Sequence, residues 1–90
     1  MSDEKWVLYI LECGDNTLYT GITNDLDKRL EAHRSGTGAK YTRGRGPLML
    51  RYVEVCADRS QASRREWEVK QMTKTEKLRL CSIGTTQRGS

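Results

Sequence analysis

Two runs near the start of the chain, Trp6 to Cys13 (WVLYILEC) and Thr17 to Thr23 (TLYTGIT), are dense in β-branched, aromatic and aliphatic residues. Between them, Gly14, Asp15 and Asn16 are turn formers, so the pair predicts a β-hairpin. A three-residue loop places Tyr9 and Tyr19 on one face, at diagonal cross-strand positions. A two-residue Asp15-Asn16 turn places them on opposite faces unless a bulge restores the parity. Aromatics suit the pleated, half-buried surface of any sheet, so the hairpin alone does not separate a packing role for these tyrosines from a chemical one.

After Thr23 the apolar period changes from two to that of a helix. In NDLDKRLEAHRSG, Asn24 is the predicted cap, acids fall in the first turn, basic residues fall late and Gly36 lies just past the end. Counting from Leu26, Leu30 lies at about 40°, His33 at about −20° and Arg29 at about −60°. A guanidinium and an imidazole therefore share the inward stripe, four residues apart and one above the other. Pro47 marks the start of a third strand-like run, LMLRYVEVC, expected to join the hairpin.

The next segment, ADRSQASRREWEVKQM, opens with Asp58 as N-cap and Gln61 three residues on. With Ala62 at zero, Val69 falls at about −20° and Met72 at about −80°. Glu66, at about 40°, faces inward, whereas Glu68 falls far round the other side. An inward carboxylate is costly unless it is paired or binds a cation, and Arg29 or Arg65 is the expected partner if the pairing is purely structural. Trp67 lies off the stripe, placed either to pack on the last helix or to meet a partner. That last helix is TKTEKLRL, with Thr73 and Glu76 repeating the capping-box pattern.

Length allows one core. The chain has 90 residues, 36% apolar and 31% charged, which predicts one small domain over 6–81 with flexible ends at 1–5 and 82–90. No apolar run approaches the roughly 18 residues of a membrane span, and Met1 to Lys5 does not resemble a signal peptide, so a cytoplasmic protein is expected. Cys13, Cys56 and Cys81 lack paired metal-site spacing and are expected as reduced, small hydrophobes rather than catalytic thiols.

Charge is less even than the net +4 suggests. From Lys28 to Arg51 the chain carries Lys28, Arg29, Arg34, Lys40, Arg43, Arg45 and Arg51 against the single acid Glu31. The glycine-rich part of it, RSGTGAKYTRGRG, brings backbone amides and cations to phosphates without steric obstruction, which points to a polyanion partner.

The order VLY (Val7 to Tyr9), YTG (Tyr19 to Gly21), Arg29 and His33, GAKYTRG (Gly38 to Gly44) and RREWEVKQM (Arg64 to Met72) resembles the GIY-YIG nuclease superfamily. The likeness extends over about residues 6 to 80. Within the superfamily it is similar to the small stand-alone bacterial proteins of the YhbQ type and to the nuclease domain of structure-specific junction endonucleases. The name-giving motif is altered to VLY and YTG, but both tyrosines and the glycine remain.

The resemblance implies an α/β domain of β-β-α-β-α-α order: a three-stranded antiparallel sheet, first strand central, flanked by about three helices. It further implies a metal-dependent DNA endonuclease, with branched or damaged DNA among its substrates. Tyr9, Tyr19, Arg29 and His33 fall on the family's catalytic positions and Glu66 on its metal ligand, for Mg²⁺ with Mn²⁺ able to substitute. Lys40 and Tyr41 fall near the scissile phosphate.

Phosphodiester hydrolysis needs an activated water, neutralisation of charge on the phosphoryl oxygens and help for the departing oxyanion. Arg29 suits the phosphate through its planar fork. The base is Tyr9, its phenolate favoured by Arg29, Lys40 and a metal, or else His33. Gly21 is expected to let the nucleic acid backbone approach, a bulge being its structural alternative. With Arg34, Lys40, Tyr41, Arg43 and Arg45 it makes up the expected DNA-binding set. Two other functional classes stand beside cleavage: nucleic-acid binding without cutting, and an interaction module whose protein partner supplies substrate choice, as a monomer or weak dimer.

Overall fold

The computed structural model describes residues 5–35 and 47–83. Its elements follow the order β1 (Trp6–Glu12), β2 (Leu18–Thr23), α1 (Leu26–Ser35), β3 (Met49–Cys56), α2 (Arg59–Lys70) and α3 (Lys74–Ile83). The strands form one antiparallel sheet in the order β2-β1-β3, as the family resemblance implies. The last helix runs two residues into the segment expected as a tail.

The hairpin loop decides the register. Cys13 N–H donates to Thr17 C=O at 2.9 Å and Asn16 N–H donates to Cys13 C=O at 2.9 Å, so the loop holds Gly14, Asp15 and Asn16. Asn16 has φ 69°, the left-handed conformation that asparagine tolerates better than most residues and that a three-residue hairpin requires. Tyr9 then pairs with Gly21 and Leu11 with Tyr19, which puts both tyrosines on one face at diagonal positions.

Alternation along β1 sends its two sets of side chains into different layers. Leu8 and Ile10 pack with Tyr52, Cys56, Ala62, Val69 and Cys81 beneath α2 and α3. Tyr9 and Leu11 pack with Val53, Leu26 and Leu30 beneath α1. A central strand buried on both faces must be apolar throughout its middle, and Leu8, Tyr9, Ile10 and Leu11 are at most 1% exposed. On the β3 side the pairing slips between Ile10 and Leu11, leaving Arg51 unpaired in the ladder, where it reaches Glu12 at 3.3 Å.

Each helix begins where a side chain can take an orphan amide. For α1 the cap is Asp25 rather than the expected Asn24: Asp25 Oδ1 accepts from Lys28 N–H at 3.2 Å, and its own N–H is held by Thr23 Oγ1 at 3.0 Å. Both residues can cap, and the Thr23 bond selects the second. Asp58 caps α2 as predicted, accepting from Gln61 N–H at 2.8 Å. Thr73 and Glu76 form the reciprocal box at α3, with bonds of 2.9 and 3.2 Å.

One edge of α2 is tied to β3. Arg65 Nε donates to both carboxylate oxygens of Glu54, at 3.1 and 3.0 Å, and its Nη1 reaches Glu68 at 3.2 Å. Glu66 lies about 100° round the helix from Arg65, so fixing Arg65 toward β3 turns Glu66 toward the opposite, β2 edge of the sheet. The cysteines at positions 13, 56 and 81 are free and buried, as expected of small core residues. Burial pushes the Cys56 and Cys81 thiols up, away from nucleophilic use.

Candidate active site

Tyr9 stands in the middle of the central strand, yet its hydroxyl reaches past the neighbouring one. Gly21 makes this passage possible. A Cβ built on Gly21 would stand 2.6 Å from Tyr9 Oη, 2.8 Å from Tyr9 Cζ and 3.1 Å from Tyr19 Cε2. The phenol thus lies across β2 in the space that any other residue would fill. This replaces the expectation that Gly21 leaves room for a nucleic acid: the group that approaches it is Tyr9, Gly21 itself is buried, and the β1-β2 pairing runs through it without a bulge.

Two groups from α1 meet the hydroxyl. His33 Nε2 lies 2.9 Å from Tyr9 Oη, and Arg29 Nε donates to the same oxygen at 3.4 Å. The inward stripe read from the helical period is therefore real: His33 is 2% exposed and Arg29 partly buried. Tyr19 completes the cluster, its ring centroid 5.3 Å from that of His33 and 6.3 Å from that of Tyr9. Its hydroxyl also supports the Arg29 charge.

These surroundings set the resting protonation. Burial pushes the Tyr9 phenol above its usual value, the Arg29 hydrogen bond works against that rise, and the charges of Tyr19 and Glu66 add to it. Phenolate stabilisation by Arg29, anticipated from the sequence, is present but is outweighed by desolvation. Burial, helped by the Arg29 charge, lowers the His33 imidazole. Arg29 itself is driven further toward its charged form by the bond to Tyr9. The resting pair is a neutral phenol against a neutral imidazole beside a fixed cation.

Glu66 belongs to the other layer, because α2 covers the Leu8 and Ile10 face. Its charge nevertheless acts on Tyr9. Both are directed to the β2 edge, which Tyr9 reaches across Gly21 and toward which the Arg65 clamp turns Glu66. The carboxylate pairs with neither Arg29 nor Arg65. Its partner is Lys70, whose Nζ lies 3.2 Å from Glu66 Oε2. Lys70 was not singled out in the sequence; its place four residues after Glu66 on one helix face was the signal available.

Of the expected DNA-binding residues, Arg34 is exposed at the end of α1. Lys40, Tyr41, Arg43 and Arg45 lie outside the described residues.

Residues 5–79 match the GIY-YIG catalytic domain. The chain belongs to the GIY-YIG family. Curated relatives include a UPF0213 protein of Clostridium perfringens, 52% identical over 83% of this chain and 81% of its own. The UPF0213 protein YhbQ of Shigella dysenteriae is 50% identical over 89% and 80%. The solution NMR structure of a UPF0213 protein from Bacillus halodurans is 45% identical, with TM-score 0.58, and the match covers 89% of this chain and 85% of that one. This GIY-YIG domain has the β-β-α-β-α-α architecture of that structure.

A metal ion of the kind the sequence resemblance implies would find a carboxylate donor here in Glu66. Glu66 is partly exposed and already lies against a cation, the Lys70 ammonium, so the position accommodates positive charge. Among the described residues no group of three or more His, Cys, Asp or Glu side chains gathers as a closed metal cage. One accessible carboxylate suits a hard ion that keeps most of its waters, as Mg²⁺ does.

Proposed function

We propose that this GIY-YIG domain is a Mg²⁺-dependent endonuclease that hydrolyses phosphodiester bonds in DNA, with branched or damaged DNA as its substrate class. The observation that carries the reading is the Tyr9 hydroxyl held between Arg29 Nε and His33 Nε2, at 3.4 and 2.9 Å.

That chain of contacts has a direction. Arginine has only donors, so Arg29 donates to the Tyr9 oxygen, and with His33 as the Nδ1–H tautomer the phenol's own O–H points to Nε2. His33, kept neutral by its lowered pKa, accepts at Nε2. Tyr9 therefore takes a proton from the attacking water while passing its own to His33, and the buried phenolate need never accumulate. Tyr9 against His33 as alternative bases becomes a single relay.

Arg29 keeps its remaining guanidinium donors for the phosphoryl oxygens, where they meet the charge that develops as the water oxygen bonds to phosphorus. The P–O bond opposite breaks, and the departing oxyanion takes a proton from solvent. Tyr19 holds Arg29 in place. Glu66 would hold the Mg²⁺, which when bound neutralises charge on the phosphate and the leaving oxygen.

The test is a panel of labelled linear, single-stranded, flapped and branched DNA with Mg²⁺ or Mn²⁺. Cleavage is expected on at least one substrate, and both Arg29→Ala and Glu66→Ala are expected to abolish it with circular dichroism unchanged. Cleavage that survives Glu66→Ala removes the metal role given to that residue. Binding without product under any metal overturns the enzymatic reading.

A further inference from the structure

Trp67 is 64% exposed, more than any other large hydrophobic side chain among the described residues. It sits on α2 directly after Glu66 and points away from both core layers. An exposed indole on a chain this small has to be accounted for, because aromatic side chains normally bury most of their area.

Its neighbours show what kind of partner it suits. At 100° per residue, Ser63 and Lys70 lie about 40° and 60° to one side of Trp67 on the helix, and Arg64 lies about 60° to the other. Glu66 and Glu68 lie about 100° away on either side. Arg64 is exposed, and Lys70 is held at 3.2 Å by Glu66. Moving outward from the β2 edge, α2 therefore presents Glu66, then Lys70, then the Trp67 ring, then Arg64. An aromatic plane between two cations, with no acid inside that sector, is complementary to a nucleotide, whose base is a π-face and whose phosphate is an anion.

We propose that Trp67 is a stacking platform for an unpaired base of the nucleic acid held at the Tyr9–Arg29–Glu66 site, with Arg64 and Lys70 on the phosphates to either side. The inference rests on the nucleic-acid reading of that site but not on cleavage. It deepens that reading by giving the domain a reason to prefer flapped, gapped or branched DNA over continuous duplex: only there is a base free to leave its stack.

The chain has two tryptophans, so Trp6→Phe leaves Trp67 as the sole tryptophan of the full-length protein, which red-edge excitation separates from the four tyrosines. That protein is titrated in EDTA with oligothymidine of roughly 12 nucleotides, within the span of a typical single-strand site, and separately with a closed hairpin duplex. Saturable quenching is expected with oligothymidine and little with duplex. Trp67→Ala, followed by a label on the DNA, should weaken oligothymidine binding about five- to a hundredfold, the range one stacked base contributes, and change duplex affinity by less than about twofold. Trp67→Tyr should recover most of the loss.

Equal weakening on both probes, or absence of quenching, overturns the platform. So does a change of Trp67→Ala from dimer to monomer in sedimentation without change in DNA affinity, which would make a second copy the occupant. Quenching and selective weakening in a protein that cuts no substrate leaves the platform standing and removes the nuclease proposal. Cleavage without quenching removes the platform alone.

Discussion

The two faces of the sheet are built from the same strand and solve different problems. Beneath α2 and α3, Leu8 and Ile10 meet Ala62, Val69 and Tyr52 in a packed apolar layer. Beneath α1, one residue along, Tyr9 is equally buried but carries a hydroxyl that needs partners, and it finds them in His33 and Arg29. The first layer gains by excluding water. The second gives up some of that gain to hold three polar groups in one arrangement. Such an arrangement is tolerable only when every member is satisfied, and the Tyr9 oxygen is satisfied from both sides.

The comparison is sharpest when one group is removed from each layer. Tyr9→Phe keeps the ring and deletes the relay; under the proposed mechanism the cleavage rate falls about 10²- to 10⁴-fold, the usual worth of a positioned acid or base, while stability falls by about 1–3 kcal/mol for the buried His33 nitrogen that loses its partner. Leu8→Ala, one residue away, is expected to cost about 2–5 kcal/mol of stability through the cavity it leaves, with the rate per folded molecule unchanged. Denaturant melts and single-turnover kinetics on both proteins separate the two. A large loss of stability in Tyr9→Phe with unchanged catalysis would make Tyr9 a core residue and nothing more.

Gly21→Ala attacks the boundary between the layers. The new methyl would stand 2.6 Å from Tyr9 Oη, and Tyr9 is 0% exposed, so the ring has nowhere to retreat. Overpacking of this kind typically costs about 1–3 kcal/mol, and here it would also shift the hydroxyl away from His33. Both stability and cleavage should therefore fall, here without any hydrogen-bonding group being removed. A Gly21→Ala protein of normal stability and activity would mean that Tyr9 takes another rotamer at no cost, and the passage across β2 would lose its significance.

How far the sequence carried this picture depends on what each feature answers to. The three strands, the three helices and the Asp58 and Thr73 caps are local events, legible from period and capping chemistry. The inward placement of Arg29 and His33 followed from helical period alone. The loop parity was left between two choices because Gly14, Asp15 and Asn16 all accept turn conformations, and only the Asn16 backbone, at φ 69°, resolves it. Glu66 was read correctly as inward, but its partner was not, because Arg65 is drawn to Glu54 on β3, a contact no helical wheel contains. Gly21 was misread for the same reason: what fills the space beside a glycine is decided by the strand across from it.

The apolar layer has one flaw that the polar layer lacks. Thr20, which pairs with Ile10, is 3% exposed, and its Oγ1 is the buried side-chain polar atom among the described residues that lacks a hydrogen-bond partner. Thr20→Val keeps the shape and removes the orphan hydroxyl, so it is expected to raise stability by about 1 kcal/mol, visible as a higher denaturant midpoint with unchanged slope. No change, or a loss, would mean that the hydroxyl is satisfied in solution and that the two layers do not differ in this respect.

The smallest effect concerns protons. Burial and the Arg29 charge hold the His33 pKa below its ordinary 6.5 in the folded protein. Between the folded value and 6.5 the unfolded chain then binds more protons than the native one, so stability rises with pH through that window and is lost as pH falls through it. Arg29→Gln removes the second of the two causes while leaving burial in place, so the His33 titration followed by NMR should move upward, toward but not to the ordinary value. The low-pH edge of stability should move with it. An imidazole that titrates identically in both proteins would show that Arg29 and His33 meet Tyr9 without sensing each other, and the polar layer would be two separate hydrogen bonds rather than one coupled unit.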